Sequence, residues 1–173
     1  MFIQKLYNFF SHKLFWLVPA LTGTTMMAVA LFYQYVLGDD PCQVCIHIRI
    51  WVIAFTLLSI IMLALPSKKL TSIIGNLVLV GMGGGLLERS LYLLKVEKGL
   101  GDSSCSFFLN FPDWIALDKW IPAIFEVRNL CTISPELIWG ITMTDGLILI
   151  STLLIGYALA ALALMLFYKP SQA

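Results

Sequence analysis

Two cysteines separated by two residues, Cys42 and Cys45, stand in the polar stretch Asp39-Asp40-Pro41-Cys42-Gln43-Val44-Cys45, directly before a long apolar run. Arg49 follows one helical turn further in. A thiol pair at the mouth of a membrane helix, with a guanidinium below it, suits thiol chemistry where water meets lipid. If the run is a helix, Cys45 occupies its N-terminal end, where unsatisfied backbone N–H groups favour a thiolate. Arg49, at i+4, falls on the same face about 6 Å deeper along the axis. From there it can stabilise a thiolate above it and donate hydrogen bonds to a polar, lipid-soluble molecule beside it. Snorkelling to the interface is the competing role for such an arginine. Two further cysteines, Cys105 and Cys131, lie in a second polar stretch. Four cysteines sharing one aqueous face would make a path for electrons.

Four cysteines permit three pairings. The close spacing allows a Cys42–Cys45 disulfide, and Cys105–Cys131 then remains to close a loop. Two structural staples fit the same residues. A four-cysteine zinc site is a further alternative, but the wide separation of Cys105 and Cys131 matches zinc modules poorly. Exchange between two pairs needs a mobile segment. The run Lys98-Gly99-Leu100-Gly101-Asp102-Ser103-Ser104 ahead of Cys105 offers one.

The elements that must carry these residues follow from composition. Of 173 residues, 60% are hydrophobic and only 12% charged, with a mean hydropathy of +0.89. This departs from soluble composition. A bilayer core takes about 20 apolar residues per helix. Four segments meet that length, at about 14–37, 46–65, 73–94 and 146–168. Continuous rather than alternating apolar runs favour helices over a barrel. The expectation is an all-α membrane protein, one integral domain over 1–173, built as a four-helix transmembrane bundle. The net charge of +1 and the absence of a basic patch give no reason to expect a nucleic-acid partner.

Charge placement orients the bundle. Lys5, Lys13, Lys68, Lys69 and Lys169 flank one side with no acidic residue among them, whereas the carboxylates gather in the loops 38–45 and 95–145. The positive-inside rule puts the lysine side in the cytoplasm. Both termini are then cytoplasmic, and all four cysteines face a compartment that permits disulfides. Ala28-Val29-Ala30 resembles a signal-peptidase site. The apolar run nevertheless continues to Leu37, so a retained first helix is expected. Residues 2–13 place Phe2, Ile3, Leu6, Phe9 and Phe10 near one face, which suits a short helix on the inner membrane surface.

Inside the third span, Gly81, Gly83, Gly84 and Gly85 lack the strand and Lys-Ser/Thr of a phosphate loop. They read as close helix packing. In the long outer loop, Phe111-Pro112-Asp113-Trp114 through Trp120-Ile121-Pro122 suggests a short interfacial helix begun by Pro112 and stopped by Pro122. A small folded cap on the bundle is the alternative.

Together these features closely resemble the DsbB family, the quinone-dependent oxidases of bacterial disulfide formation. The likeness covers nearly the whole chain. It rests on Pro41-Cys42-x-x-Cys45 with Arg49, the loop Cys105, the segment Phe111-Pro112-Asp113-Trp114 through Leu117-Asp118-Lys119-Trp120-Ile121-Pro122, and Cys131. The resemblance implies an inner-membrane protein-disulfide oxidoreductase with Cys42–Cys45 and Cys105–Cys131 as redox-active disulfides. A reduced periplasmic thioredoxin-fold oxidase of the DsbA type would attack Cys105. Electrons would pass from Cys105 and Cys131 to Cys42–Cys45, and from Cys45 to a membrane quinone, ubiquinone or menaquinone, held by Arg49. A histidine near the outer end of the third helix approaches the quinone in some members, and this chain is expected to put Tyr92 there. His47 is a nearby ring donor with interfacial packing as its plainer role. Glu88 and Arg89 either snorkel or, for Glu88, pair with a cation of a neighbouring helix. A vitamin K epoxide reductase-like protein would place its membrane Cys-x-x-Cys after the loop cysteines, not before them. A four-span scaffold or metal-handling protein with structural disulfides is the alternative from another class.

Overall fold

The computed structural model describes residues 9–10, 12–66, 68–100, 109, 116–129, 131, 136–138 and 140–167. A 3₁₀ turn, Lys13–Trp16, leads into α1, Leu17–Tyr35. Next come α2, Gln43–Ala64, and α3, Lys69–Glu97. Two single-turn helices follow, α4 at Leu117–Trp120 and α5 at Pro122–Phe125. Strands β1, Glu136–Ile138, and β2, Ile141–Thr142, form a small antiparallel ribbon ahead of α6, Met143–Phe167.

Local chemistry sets the helix ends. His12 caps the 3₁₀ turn, its Nδ1 accepting from the Leu14 N–H at 3.3 Å. Pro66 ends α2, and Leu65 before it is extended, as the residue preceding a proline prefers. Thr142 and Asp145 form a capping box at the head of α6. The Asp145 N–H donates to Thr142 Oγ1 at 3.2 Å, and the Thr142 N–H donates to Asp145 Oδ2 at 3.3 Å.

Four helices are long and apolar enough to cross a membrane: Lys13–Tyr35, Gln43–Ala64, Lys69–Glu97 and Met143–Phe167. Their surfaces fit a lipid environment. Leu21, Leu57, Ile61, Leu77, Leu153 and Leu166 point outward, each more than half exposed. Ser59, Asn76, Ser90 and Ser151 are fully buried. The serines satisfy their hydroxyls along their own helices, as Ser59 and Ser90 do by donating to the carbonyls of Phe55 and Leu86 at 2.7 and 2.8 Å, and Asn76 Nδ2 donates to the Ser72 carbonyl at 2.8 Å while its Oδ1 has no partner among the described residues. Such self-satisfied small polar groups are tolerated inside a membrane bundle.

Helix α3 is the centre of the packing, touching both α2 and α6. Glycines permit this approach. A Cβ built on Gly85 would lie 2.6 Å from the Trp51 ring of α2, and one on Gly83 would lie 2.8 Å from Ile155 of α6. Gly81 and Gly84 meet nothing. The glycine run thus works as packing, at two of its four positions. At one end of the bundle Phe15 stacks on Tyr157, ring centroids 4.4 Å apart, with Phe10 against both. The Tyr157 hydroxyl donates to the Phe15 carbonyl at 3.0 Å. This closes α6 onto the start of α1. Phe10 thus packs into the bundle, and the expected surface helix over residues 2–13 lies mostly outside the described residues.

The outer loop differs from the expected single helix. Residues 111–115, including Trp114, lie outside the described residues. Beyond them the helix is broken in two at Ile121, and Pro122 begins the second turn instead of ending the first. Proline needs no N–H in the first turn of a helix, so it suits that position. Phe125 is buried with Ile46 and Leu109, and Ile50, Leu117 and Ile124 pack around them. The segment is therefore docked on α2. The β1–β2 ribbon was not foreseen. Its turn uses Gly140 at φ +78°, a conformation glycine adopts without steric cost.

Candidate functional site

Cys42 is the N-cap of α2. Its backbone is extended, and its Sγ accepts the Cys45 N–H at 3.3 Å. A sulfur thus takes the place that a serine or aspartate oxygen usually fills. Cys42 is buried and Cys45 half-buried, and both are free thiols. The Cys42–Cys45 disulfide that the family resemblance implies is not formed in this structure; the pair is a hydrogen-bonded dithiol. Hydrogen bonding to Cys45, reinforced by burial, pushes the Cys42 thiol well above its ordinary range and so holds its proton.

Arg49 is only 6% exposed, which rules out simple snorkelling. Its Nη1 donates to Gln34 Oε1 at 2.7 Å and to the Ile124 carbonyl at 2.8 Å. The Gln34 side-chain amide and the Tyr35 hydroxyl both donate to the Ala123 carbonyl, at 3.3 and 2.6 Å. A single guanidinium nitrogen thereby ties α1, α2 and α5 together. Among the described residues, Nε and Nη2 have no partner, and Arg49 lines the same pocket as Cys42 and Cys45.

Cys131 also lines that pocket, is buried, and is disulfide-bonded. Its position follows from backbone pairing. The N–H groups of Arg128 and Asn129 donate to the Pro41 carbonyl at 3.0 and 3.3 Å. Asn129 forms a parallel bridge with Cys42. The chain before Cys131 is thus laid along the chain before Cys45. Cys105 lies outside the described residues.

The pocket holds about 90 Å³. Its walls include Met26, Met27 and Tyr33 of α1, Leu93 and Glu97 of α3, and Met143 and Leu147 of α6. An adjoining apolar groove of about 470 Å³ runs between α1 and α6 and shares Met26, Met143 and Leu147 with it. A small polar head at the thiols with an apolar tail in the groove fits this shape. The site is polar where Arg49 and Glu97 stand and greasy beyond.

The remaining sequence candidates lie beside the pocket. The α3 residues on the pocket are Leu93 and Glu97; Tyr92 is half-buried against the helix core instead. Helix α3 runs a turn past the expected end at 94, so the pocket level falls later in the sequence. His47 meets the Leu109 backbone. Glu88 pairs with its neighbour Arg89 at 3.0 Å, not with another helix. Gln34, Tyr35 and Glu97 were missed. Gln34 carried a legible signal, as a polar residue inside the apolar run from Leu31 to Leu37.

A four-span helical membrane protein that gathers a free dithiol and a disulfide-bonded cysteine in one pocket is built for thiol–disulfide exchange. The family model for the disulfide bond formation protein DsbB matches residues 12–161. Disulfide bond formation protein B 2 of Pseudomonas aeruginosa is 33% identical over 130 residues, covering 74% of this chain and 75% of that protein. Disulfide bond formation protein B of Shewanella denitrificans is 30% identical over 177 residues, covering 98% of each. Its counterpart in Shewanella loihica is 29% identical over 170 residues, covering 98% of this chain and 96% of that protein. The chain belongs to the DsbB family, and is a multi-pass disulfide-forming membrane oxidoreductase.

Proposed function

We propose that this chain reoxidises a DsbA-like thioredoxin-fold protein and sends the electrons through two cysteine pairs to a membrane quinone. The observation that carries this reading is the shared pocket. Cys42, Cys45, Cys131 and Arg49 line one cavity, and that cavity joins an apolar groove on the side of the bundle.

The partner's thiolate attacks Cys105 and breaks its disulfide to Cys131. The partner's second thiol then resolves the mixed disulfide, leaving the partner oxidised and Cys105 and Cys131 as thiols. These thiols exchange with a Cys42–Cys45 disulfide, which restores the loop disulfide and leaves thiols at Cys42 and Cys45. Two electrons move in each exchange and no other reagent is needed. The thiols at Cys42 and Cys45, with Cys131 disulfide-bonded, match the state that follows this second exchange. A quinone bound beside the dithiol supplies the final sink, taking two electrons and two protons. Arg49 orients that acceptor through Nε and Nη2 while Nη1 stays tied to Gln34 and Ile124. Cys45, at the head of α2, is the sulfur presented to it; Cys42 closes the disulfide as the electrons leave.

On this reading the chain is one membrane domain in the bacterial inner membrane. The cysteine end faces the periplasm and the Lys68–Lys69 end the cytoplasm, by the positive-inside rule. The test uses purified protein with a reduced thioredoxin-fold dithiol and a short-chain ubiquinone or menaquinone. One quinol per dithiol oxidised, sustained over many turnovers, supports the reading. Partner oxidation limited to one equivalent, with no quinol formed, rejects it.

A further inference from the structure

The pocket contains a group that the electron route alone does not use. Glu97 sits at the last turn of α3, half-buried, on the wall shared with Cys45 and Arg49. The fully buried Thr144 of α6 donates its hydroxyl to Glu97 Oε1 at 2.7 Å. One carboxylate oxygen is thus fixed from a second helix, and the side chain cannot swing out with the loop that follows.

The geometry points to Glu97 as the proton-carrying group of the acceptor step, taking the Cys45 proton and returning it to a quinone oxygen. This rests on the quinone reading above. A carboxylate that shares a pocket with a thiol is placed to take its proton as the sulfur–sulfur bond forms, with the Arg49 guanidinium on the same wall. In the acceptor step Glu97 takes the Cys45 proton while Cys42 keeps its own. The sulfur–sulfur bond then forms and two electrons pass to the quinone. Glu97 gives its proton to one quinone oxygen, and the Cys42 proton goes to the second. Glu97 is left as a carboxylate. The next thiol exchange delivers two protons, one to Cys42 and one to Cys45. Charge and protons balance over the cycle, with no further reagent.

Asp39 and Asp40 also line the pocket, but on the connection between helices, and Asp40 is exposed. Glu97 alone among these carboxylates is on a helix and held by a buried hydroxyl.

The test uses Glu97→Gln, which keeps an oxygen for Thr144, with Glu97→Asp as partial restoration and Glu88→Gln as a surface control. In quinone-free protein, the rate of iodoacetamide alkylation at Cys45 is followed by mass spectrometry from pH 4 to 10. Wild type is expected to give a two-step profile, because the carboxylate in the pocket titrates as well as the thiol, and Glu97→Gln a single step. Cys42, Arg49, Tyr33, Asp39, Asp40 and the adjacent Lys98 are present in both proteins, so the difference isolates Glu97. With quinone, kcat of Glu97→Gln should fall roughly ten- to hundred-fold, as for loss of a proton-transfer group, with KM for quinone little changed. Glu97→Asp should recover part of it, and Glu88→Gln should match wild type. Identical alkylation profiles in wild type and Glu97→Gln would overturn the proposal, as would an unchanged kcat. A wild-type protein that reduces no quinone would instead count against the function itself, while the alkylation profile still decides the coupling of Glu97 to Cys45.

Discussion

Replacing Arg49 separates its tie between helices from its proposed hold on the quinone. Its Nη1 makes two short hydrogen bonds, to Gln34 Oε1 at 2.7 Å and the Ile124 carbonyl at 2.8 Å, in a setting where the residue is 6% exposed. Hydrogen bonds to a charged group contribute about 1.5–3 kcal/mol each, and a buried acceptor left without its donor costs about 1–3 kcal/mol. Arg49→Met removes the donor and strands both acceptors. The expected destabilisation is about 2–5 kcal/mol, since shared-donor bonds do not add fully. For a chain of this size that lowers Tm by roughly 5–15 °C. Arg49→Lys keeps the charge but loses the planar fork. Its single ammonium can satisfy Gln34 and Ile124 or reach into the pocket, not both. The two fixed acceptors should hold it, so Tm stays near wild type. KM for quinone then rises roughly ten- to hundred-fold, the equivalent of one charge-assisted hydrogen bond. Thermal unfolding in detergent and steady-state quinone titration measure the two effects separately. An Arg49→Met protein with wild-type Tm would refute the tie between helices. An Arg49→Lys protein with wild-type KM and Tm would refute the division of labour.

Four further outcomes are expected. A reduced partner lacking its second thiol should be trapped as a mixed disulfide with Cys105, seen as a reducible band on non-reducing gels, because the thiol that resolves the intermediate is gone. Gly85→Val should cost about 1–3 kcal/mol and lower Tm, because its side chain overlaps the Trp51 ring, as overpacked cores do. Gly84→Ala, with open space around it, should be neutral or slightly stabilising through helix propensity. A membrane-impermeant maleimide should reach the reduced cysteines in intact spheroplasts; labelling that needs permeabilised cells would reverse the orientation.

The sequence carried the parts of this site that obey a local period. Cys42, Cys45 and Arg49 are three and four residues apart on a helix whose apolar run is unmistakable, so their alignment could be read directly. The four spans followed from length and hydropathy, and Gly83 and Gly85 from the need of helices for close contact. What escaped was set by partners far away in the chain. The hydrogen bonds from Gln34 and Tyr35 to Ala123 span almost ninety residues, and no local pattern encodes them. The docking of Asn129 beside Cys42 is a backbone pairing of two irregular segments. Tyr92 follows from the family resemblance alone, and the apolar run of α3 stops at Leu94. The helix itself continues through Lys95-Val96-Glu97, with 29 residues extending about 44 Å against a hydrocarbon core of about 30 Å. That additional turn puts Glu97 on the pocket. In the outer loop, Pro122 permits either a stop or a start, and the burial of Phe125 against Ile46 decided for a start.

The central claim is that electrons leave through Cys45. A single-turnover comparison of wild type and Cys45→Ser, each mixed with excess reduced partner and quinone, tests it directly. The account predicts that wild type forms quinol continuously. Cys45→Ser should oxidise at most one equivalent of partner, through the loop disulfide, and form none. Sustained quinol formation by Cys45→Ser at the wild-type rate would contradict it.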